Sequence, residues 1–180
     1  MVLPCNNTNW QRLIERTNKR SIVVCKENGI EYRLENHDKK YEVCMWHYDG
    51  SESNRGVEGG VCDYILFTCP AQTEEQSRIA IVLELKGTDV EKAYSQLCDT
   101  IEREKNGVLA HYIVLARVVA RKIPSTPQDV AARAPLLTLL KRVNKKFHLD
   151  EGKYSVFCRS HGKCNDKEIL DDIYSELCGI

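Results

Sequence analysis

The feature that most constrains the fold is an apolar run that ends in two charged side chains. Every residue from Ile79 to Leu83 is apolar, and Glu84, Leu85 and Lys86 follow directly. A continuous apolar segment of this length is typical of a central strand that is covered on both faces. Side chains two positions apart on a strand point to the same face, so Glu84 and Lys86 share one face. The sequence therefore predicts a buried strand that carries a carboxylate and an ammonium to the rim of a sheet.

A second carboxylate, Asp63, stands near the start of another predicted strand at residues 61–68. If the two strands are neighbours, Asp63 and Glu84 meet at one rim, close enough to share a cation. Carboxylates are hard oxygen ligands that suit Mg²⁺ or Mn²⁺, and the carbonyl of Leu85 is placed to add a further ligand. A metal of this kind polarises a phosphoryl oxygen and lowers the pKa of a bound water, while a lysine such as Lys86 orients that water. The set suits hydrolysis of a phosphodiester.

A helix is predicted directly after this strand. Thr88 is expected to cap it, because Glu91 three residues later completes a capping box. Apolar residues recur at intervals of three and four from Val90 to Ile101, which indicates a face packed on the sheet. The other predicted elements are helices at 7–19, 135–147 and 167–177, and strands at 21–25, 30–34, 41–48, 111–119 and 154–159. This order predicts one α/β domain over residues 1–180, with a mixed central sheet flanked by helices.

These segments resemble the core of the PD-(D/E)xK, or restriction-endonuclease-like, nucleases. The resemblance covers about residues 41–119, and it is carried by Gly59-Gly60-Val61-Cys62-Asp63-Tyr64, by Val82-Leu83-Glu84-Leu85-Lys86-Gly87 and by Ala93-Tyr94-Ser95-Gln96-Leu97. It implies that Asp63 and Glu84 bind metal, that Lys86 is the catalytic lysine, and that Gln96 joins the site from the following helix. It also implies an Mg²⁺- or Mn²⁺-dependent nuclease, which dimerises if it cuts both strands of a duplex; DNA is the favoured substrate, and RNA or single-strand cutting stays open. Glu15 and Glu58 compete for the upstream acid that some members carry.

The charge distribution adds a candidate binding surface. The formal net charge is zero, but residues 103–148 hold ten Lys or Arg against two acids, a net charge of +8. Such segregation favours a basic surface for phosphates beside an acidic metal site, and the alternative is an ordinary solvated helix face. The residues expected to flank the cleft in part are Arg117, Arg121, Lys122, Lys141, Arg142, Lys145 and Lys146.

Cysteine usage and hydropathy give the expected setting. Nine cysteines, no signal-peptide pattern at the start and no membrane-length apolar run favour reduced thiols in the cytoplasm and no membrane partner. Cys158, His161, Cys164 and Cys178 form a second candidate site, a structural zinc. A function of another class stays open: a nuclease-like fold without activity that binds a partner as a regulatory or immunity module, which the zero net charge favours.

Overall fold

A six-stranded sheet and a smaller three-stranded sheet, with three helices, form the described part of the chain. The computed structural model describes residues 14–16, 21–49, 60–70, 78–121, 126–149, 157–160 and 167–179. The elements are β1 (Ile14–Arg16), β2 (Ile22–Glu27), β3 (Ile30–Glu35), β4 (Tyr41–His47), β5 (Tyr64–Pro70), β6 (Ile79–Lys86), α1 (Val90–Glu104), β7 (Ile113–Ala120), α2 (Pro127–Asn144), β8 (Phe157–Ser160), β9 (Lys167–Ile169) and α3 (Leu170–Cys178). The large sheet has the order β1-β4-β5-β6-β7-β8, and the small one β2-β3-β9. The predicted mixed α/β class is confirmed.

The predicted central strand is β6. It pairs antiparallel with β5 and parallel with β7, and all of its residues except Lys86 are buried. The parallel neighbour and the layers on both faces explain why its sequence is apolar without alternation. Tyr64 pairs with Leu83, so Asp63, one residue before β5, reaches the level of Glu84. The end of β6 and the start of β5 therefore form one edge of the sheet, which we call the site edge.

Two layers cover the opposite faces of the large sheet. Helix α1 contacts β6 and β7 on the face to which Lys86 points, since Lys86 bonds to Gln96 of this helix. The small sheet covers the other face, where β3 contacts β6 and β7. Tyr64, which shares the face of its partner Leu83, donates a hydrogen bond of 2.8 Å to the carbonyl of Lys26 in β2.

The N-cap of α1 lies one residue later than predicted. Asp89, not Thr88, is the N-cap, and its side chain accepts a hydrogen bond from the Lys92 amide at 3.1 Å. Aspartate is as good a cap as threonine or better, and its negative charge lies at the positive end of the helix dipole. The prediction of a Thr88 capping box is therefore wrong, although the helix follows β6 as expected.

Three further sequence predictions need correction. Residues 14–16, predicted within a helix at 7–19, form the edge strand β1 on β4, and the rest of that segment lies outside the described residues. Helix α2 starts at Pro127 rather than Pro135, because Thr126 caps it and proline is well tolerated in the first turn. Residues 167–169, predicted as the start of the last helix, form β9 and pair in parallel with β3.

No helix in the described ranges combines the length and apolar character needed to cross a membrane.

Candidate active site

Asp63 and Glu84 are brought together at the site edge, where the carboxylate of each accepts a hydrogen bond from a backbone amide on the other's segment. The amide of Asp63 donates to Oε2 of Glu84 at 3.2 Å, and the amide of Leu85 donates to Oδ2 of Asp63 at 2.6 Å. Only 6% of Asp63 and none of Glu84 is exposed to solvent. Each carboxylate is thus fixed by the strand that carries the other one, and Leu85 contributes its amide to this arrangement.

Lys86 completes the cluster predicted from the sequence. Its Nζ donates to Oε1 of Glu84 at 2.7 Å and to Oε1 of Gln96 at 2.6 Å. With 22% of its side chain exposed, Lys86 is the most accessible charged group of the three. The ammonium is held between the buried carboxylate and α1 rather than extended into solvent.

Burial changes the acidity of both carboxyl groups. Burial, opposed by the Leu85 amide and reinforced by the charge of Asp49, raises the pKa of Asp63 to about 6. Burial and then repulsion from Asp63 raise the pKa of Glu84 to about 7, although the bond from Lys86 opposes the rise. One ammonium does not offset two buried anions, and two carboxylates are the type of oxygen ligand that could hold a divalent cation.

Helix α1 holds the segment that leads into Asp63. Nε2 of Gln96 donates to the carbonyl of Val61 at 2.8 Å, and the Cys62 amide donates to Oγ1 of Thr100 at 2.9 Å. One turn of α1, from Gln96 to Thr100, therefore positions both Lys86 and the two residues that precede Asp63. Gln96 therefore lies on α1 within hydrogen-bonding distance of Lys86.

Asp49 and His47 also belong to the site edge, and neither was predicted as part of the metal site. Nε2 of His47 lies 2.9 Å from Oδ1 of Asp49, and the imidazole stacks on Tyr64 with 4.6 Å between ring centroids. Asp49 acts on Asp63 through its charge. The sequence signal that could have identified Asp49 is its position just after a predicted strand. The Gly, Ser and Asn residues that follow it indicated an ordinary loop instead.

The predicted basic surface is divided among different parts of the fold. Arg117 lies inside the protein, where Nε bonds to Glu168 at 2.9 and 3.1 Å, so its expected role at the cleft is wrong. Asn144, at the end of α2, bonds to both backbone groups of Val114 at 2.8 Å, near the start of β7. The α2 end, which carries Lys141, Arg142, Lys145 and Lys146, is therefore at the far edge of the sheet.

Arg121 does lie at the site edge. Its amide donates to the carbonyl of Gly87 at 3.0 Å, and Nη2 donates to the carbonyl of Asn28 at 3.2 Å. The adjacent Ala120 pairs with Lys86. Lys122 lies outside the described residues.

The other candidate groups have different outcomes. Glu15 lies on a strand, not on a helix, and Glu58 lies outside the described residues, so the upstream acid is not assigned.

For the zinc hypothesis, Cys178 ends α3, but His161 and Cys164 also fall outside the described ranges. Within those ranges, no three His, Cys, Asp or Glu residues are grouped to hold a metal. A cation bound by Asp63 and Glu84 would thus rely on these two acids, a carbonyl and water, as Mg²⁺ commonly does.

Comparison with known proteins gives no match: no family model, curated protein or solved structure matches the chain. The chemistry of the site is accordingly inferred from the arrangement of Asp63, Glu84, Lys86 and Gln96.

Proposed function

We propose that this chain is a metal-dependent nuclease that hydrolyses phosphodiester bonds, with DNA as the expected substrate. The observation that carries the proposal is the pair of buried carboxylates, Asp63 and Glu84, each of which accepts a hydrogen bond from a backbone amide on the other's segment, with the Lys86 ammonium 2.7 Å from Glu84. Two buried acids that share one ammonium are costly to keep ionised without a further cation. Buried charges that lower the stability of the fold are more readily explained by a catalytic or binding role than by a structural one.

Each residue has a distinct role in this proposal. Asp63 and Glu84 hold Mg²⁺ or Mn²⁺, with the Leu85 carbonyl as a further ligand. The metal, when bound, supplies Lewis-acid activation of the phosphoryl group and of water. Lys86 orients the attacking water and stabilises the charge that grows on the phosphate oxygens, and Gln96 keeps Lys86 in place.

The order of elements supports a restriction-endonuclease-like core. Strands β4, β5 and β6 form an antiparallel meander, α1 follows, and β7 returns parallel to β6. The candidate residues lie where β5 starts and β6 ends, next to the helix. We propose the cytoplasm as the setting, and two copies of the chain wherever both strands of a duplex are cut, since one site serves one strand.

The first prediction is metal-dependent cleavage. Supercoiled, linear and single-stranded DNA and RNA are incubated with the chain, with Mg²⁺, with Mn²⁺ or with EDTA, and the products are separated on gels. We expect cleavage of DNA only with metal. Lys86→Ala should lower the rate about 100- to 1,000-fold, because its ammonium acts mainly in the transition state. Lys92→Ala is the matched control, since Lys92 lies exposed on α1, and it should cleave as the wild type does.

Thermal melts with added Mn²⁺ separate binding from chemistry. The wild type and Lys86→Ala should both gain stability with metal by mass action, whereas Asp63→Asn and Glu84→Gln should gain little. Cleavage that survives in both carboxylate variants would place the chemistry elsewhere. A wild type that binds Mn²⁺ but leaves every substrate intact would instead favour the partner-binding alternative.

A further inference from the structure

Gly60 packs directly against α1, with no room for a side chain. A Cβ added at this position would lie 2.5 Å from Cγ of Gln96 and 3.1 Å from its Cα. The backbone of Gly60 does not have a positive φ, in contrast to Gly29 and Gly179. Glycine is therefore needed here for close approach and not for its conformational freedom.

Hydrogen bonds on both sides of the contact hold residues 60–62 to the helix. The Gly60 amide donates to Oδ2 of Asp99 at 3.0 Å, one turn after Gln96, and the Cys62 amide donates to Oγ1 of Thr100 at 2.9 Å. The segment cannot move away from α1 without losing these bonds. A side chain at position 60 would accordingly displace the side chain of Gln96, because that side chain moves more easily than the backbone of α1.

Both the oxygen and the nitrogen of the Gln96 side-chain amide are hydrogen-bonded, so displacing this side chain would also affect Lys86. Nε2 donates to the Val61 carbonyl at 2.8 Å, and Oε1 accepts from Nζ of Lys86 at 2.6 Å. We propose that Gly60 is a positioning residue for Lys86: its close packing fixes the Gln96 amide, which in turn holds the ammonium beside Glu84. This inference rests on the proposed function for its effect on catalysis, but the contact itself can be tested without it.

The second prediction follows for Gly60→Ala. The turnover number should fall about 100-fold, because a displacement of about 1 Å in a positioning group costs that much. The Michaelis constant and the Mn²⁺ stabilisation should change little, since Asp63 and Glu84 keep their bonds. Gly87→Ala is the matched control, because an added Cβ at Gly87 has no heavy atom within 4 Å, and it should retain wild-type turnover. Wild-type turnover in Gly60→Ala would overturn the proposal.

A double-mutant cycle distinguishes this route from general loss of structure. If Gly60 acts through Gln96, then Gly60→Ala combined with Gln96→Ala should lose no more turnover than Gln96→Ala alone. Losses that multiply would overturn the proposal. Should Gly60→Ala fail to fold, the double variant should fold, because it lacks the Cγ that the new methyl group meets. Failure of both to fold would contradict the proposed contact.

Labelling of Lys86 tests the same contact without any substrate. An amine-selective reagent followed by peptide mass spectrometry should modify Lys86 several-fold faster in Gly60→Ala than in the wild type or Gly87→Ala, because its Gln96 acceptor is displaced. Equal labelling would overturn the inference. If the wild type cleaves nothing while the labelling differs as expected, the proposed function fails and the role of Gly60 in holding Lys86 stands.

Discussion

At the scale of single residues, the two carboxyl groups couple stability to pH. Their pKa values rise from usual values of 3.8 and 4.5 to about 6 for Asp63 and about 7 for Glu84, mainly through burial. Between the usual and the raised values, the folded protein binds more protons than the unfolded chain. The stability that these groups contribute is therefore present at acid pH and is lost as the pH rises through about 6 to 7.

The third prediction is a falling melting temperature for the metal-free wild type between about pH 5 and about pH 8, with a smaller slope in Glu84→Gln. Stabilisation by Mn²⁺ should grow over the same interval, because the metal replaces protons on the same oxygens. Calorimetric melts at a series of pH values, with EDTA or Mn²⁺, provide the measurement. Parallel slopes in the wild type and Glu84→Gln would show that Glu84 does not titrate in this range.

Residue-level prediction succeeded where the signal was local. Glu84 and Lys86 are two positions apart at the end of one apolar strand, so their shared face follows from the strand period. The contact of Gly60 with Gln96 was not predictable, because it depends on how closely a loop approaches a helix. Asp49 was overlooked for the same reason: only the folded chain places it beside Asp63.

At the scale of elements, a buried ion pair joins the large sheet to β9 and β3. Nε of Arg117 contacts both carboxylate oxygens of Glu168, and the hydroxyl of Tyr32 donates to Oε2 of Glu168 at 2.5 Å. The two charged side chains are only 9% and 12% exposed. Burial and the charge of Glu168 raise the pKa of Tyr32, which keeps its hydroxyl a donor.

The fourth prediction concerns this ion pair. Arg117→Ala should lower the free energy of unfolding by about 3–5 kcal/mol, because it leaves Glu168 buried without its cation. Arg142→Ala is the comparison, since Arg142 pairs with Glu102 and 62% of its side chain is exposed; it should cost less than about 1 kcal/mol. Urea denaturation measures both values. Equal costs would mean that water reaches Arg117 freely.

Elements with a strong local pattern were predicted, and those defined by distant pairing were not. Strand β6 and helix α1 match the apolar run and the three–four repeat that predicted them. Strand β1 has three residues and exists through its pairing with β4, so its sequence carries little signal. Strand β9 is equally short and pairs with β3, which also explains why a separate small sheet was not predicted.

At the scale of the whole molecule, basic residues that are close in sequence lie at opposite edges of the sheet. Arg121 adjoins the end of β7 that pairs with Lys86, whereas Asn144 ties the α2 end to Val114. The four-residue step from Val114 to Val118, the partner of Glu84, alone spans about 13 Å of strand. A phosphate at the site edge therefore meets Arg121 before it meets the α2 end.

The fifth prediction compares these two places. Arg121→Glu should weaken DNA binding and reduce its salt dependence, because it would reverse a charge beside the phosphate that the proposed site cleaves. Lys141→Glu combined with Arg142→Glu should change single-turnover cleavage by less than about twofold, since screening over the intervening distance is strong at 0.15 M salt. Fluorescence anisotropy and single-turnover rates test both variants. A larger effect from the α2 pair would mean that the nucleic acid extends around the molecule to the far edge.

The pairing of β9 with β3 has a consequence during synthesis on the ribosome. Tyr32 and Glu168, which bond across these strands, are 136 residues apart. At a translation rate of about 5–20 residues per second, the nascent chain carries β3 with an open strand edge for on the order of ten seconds. Open edges recruit other extended chains, so a chaperone that covers β2 and β3 over this interval should raise the yield of native protein more than one that acts after release.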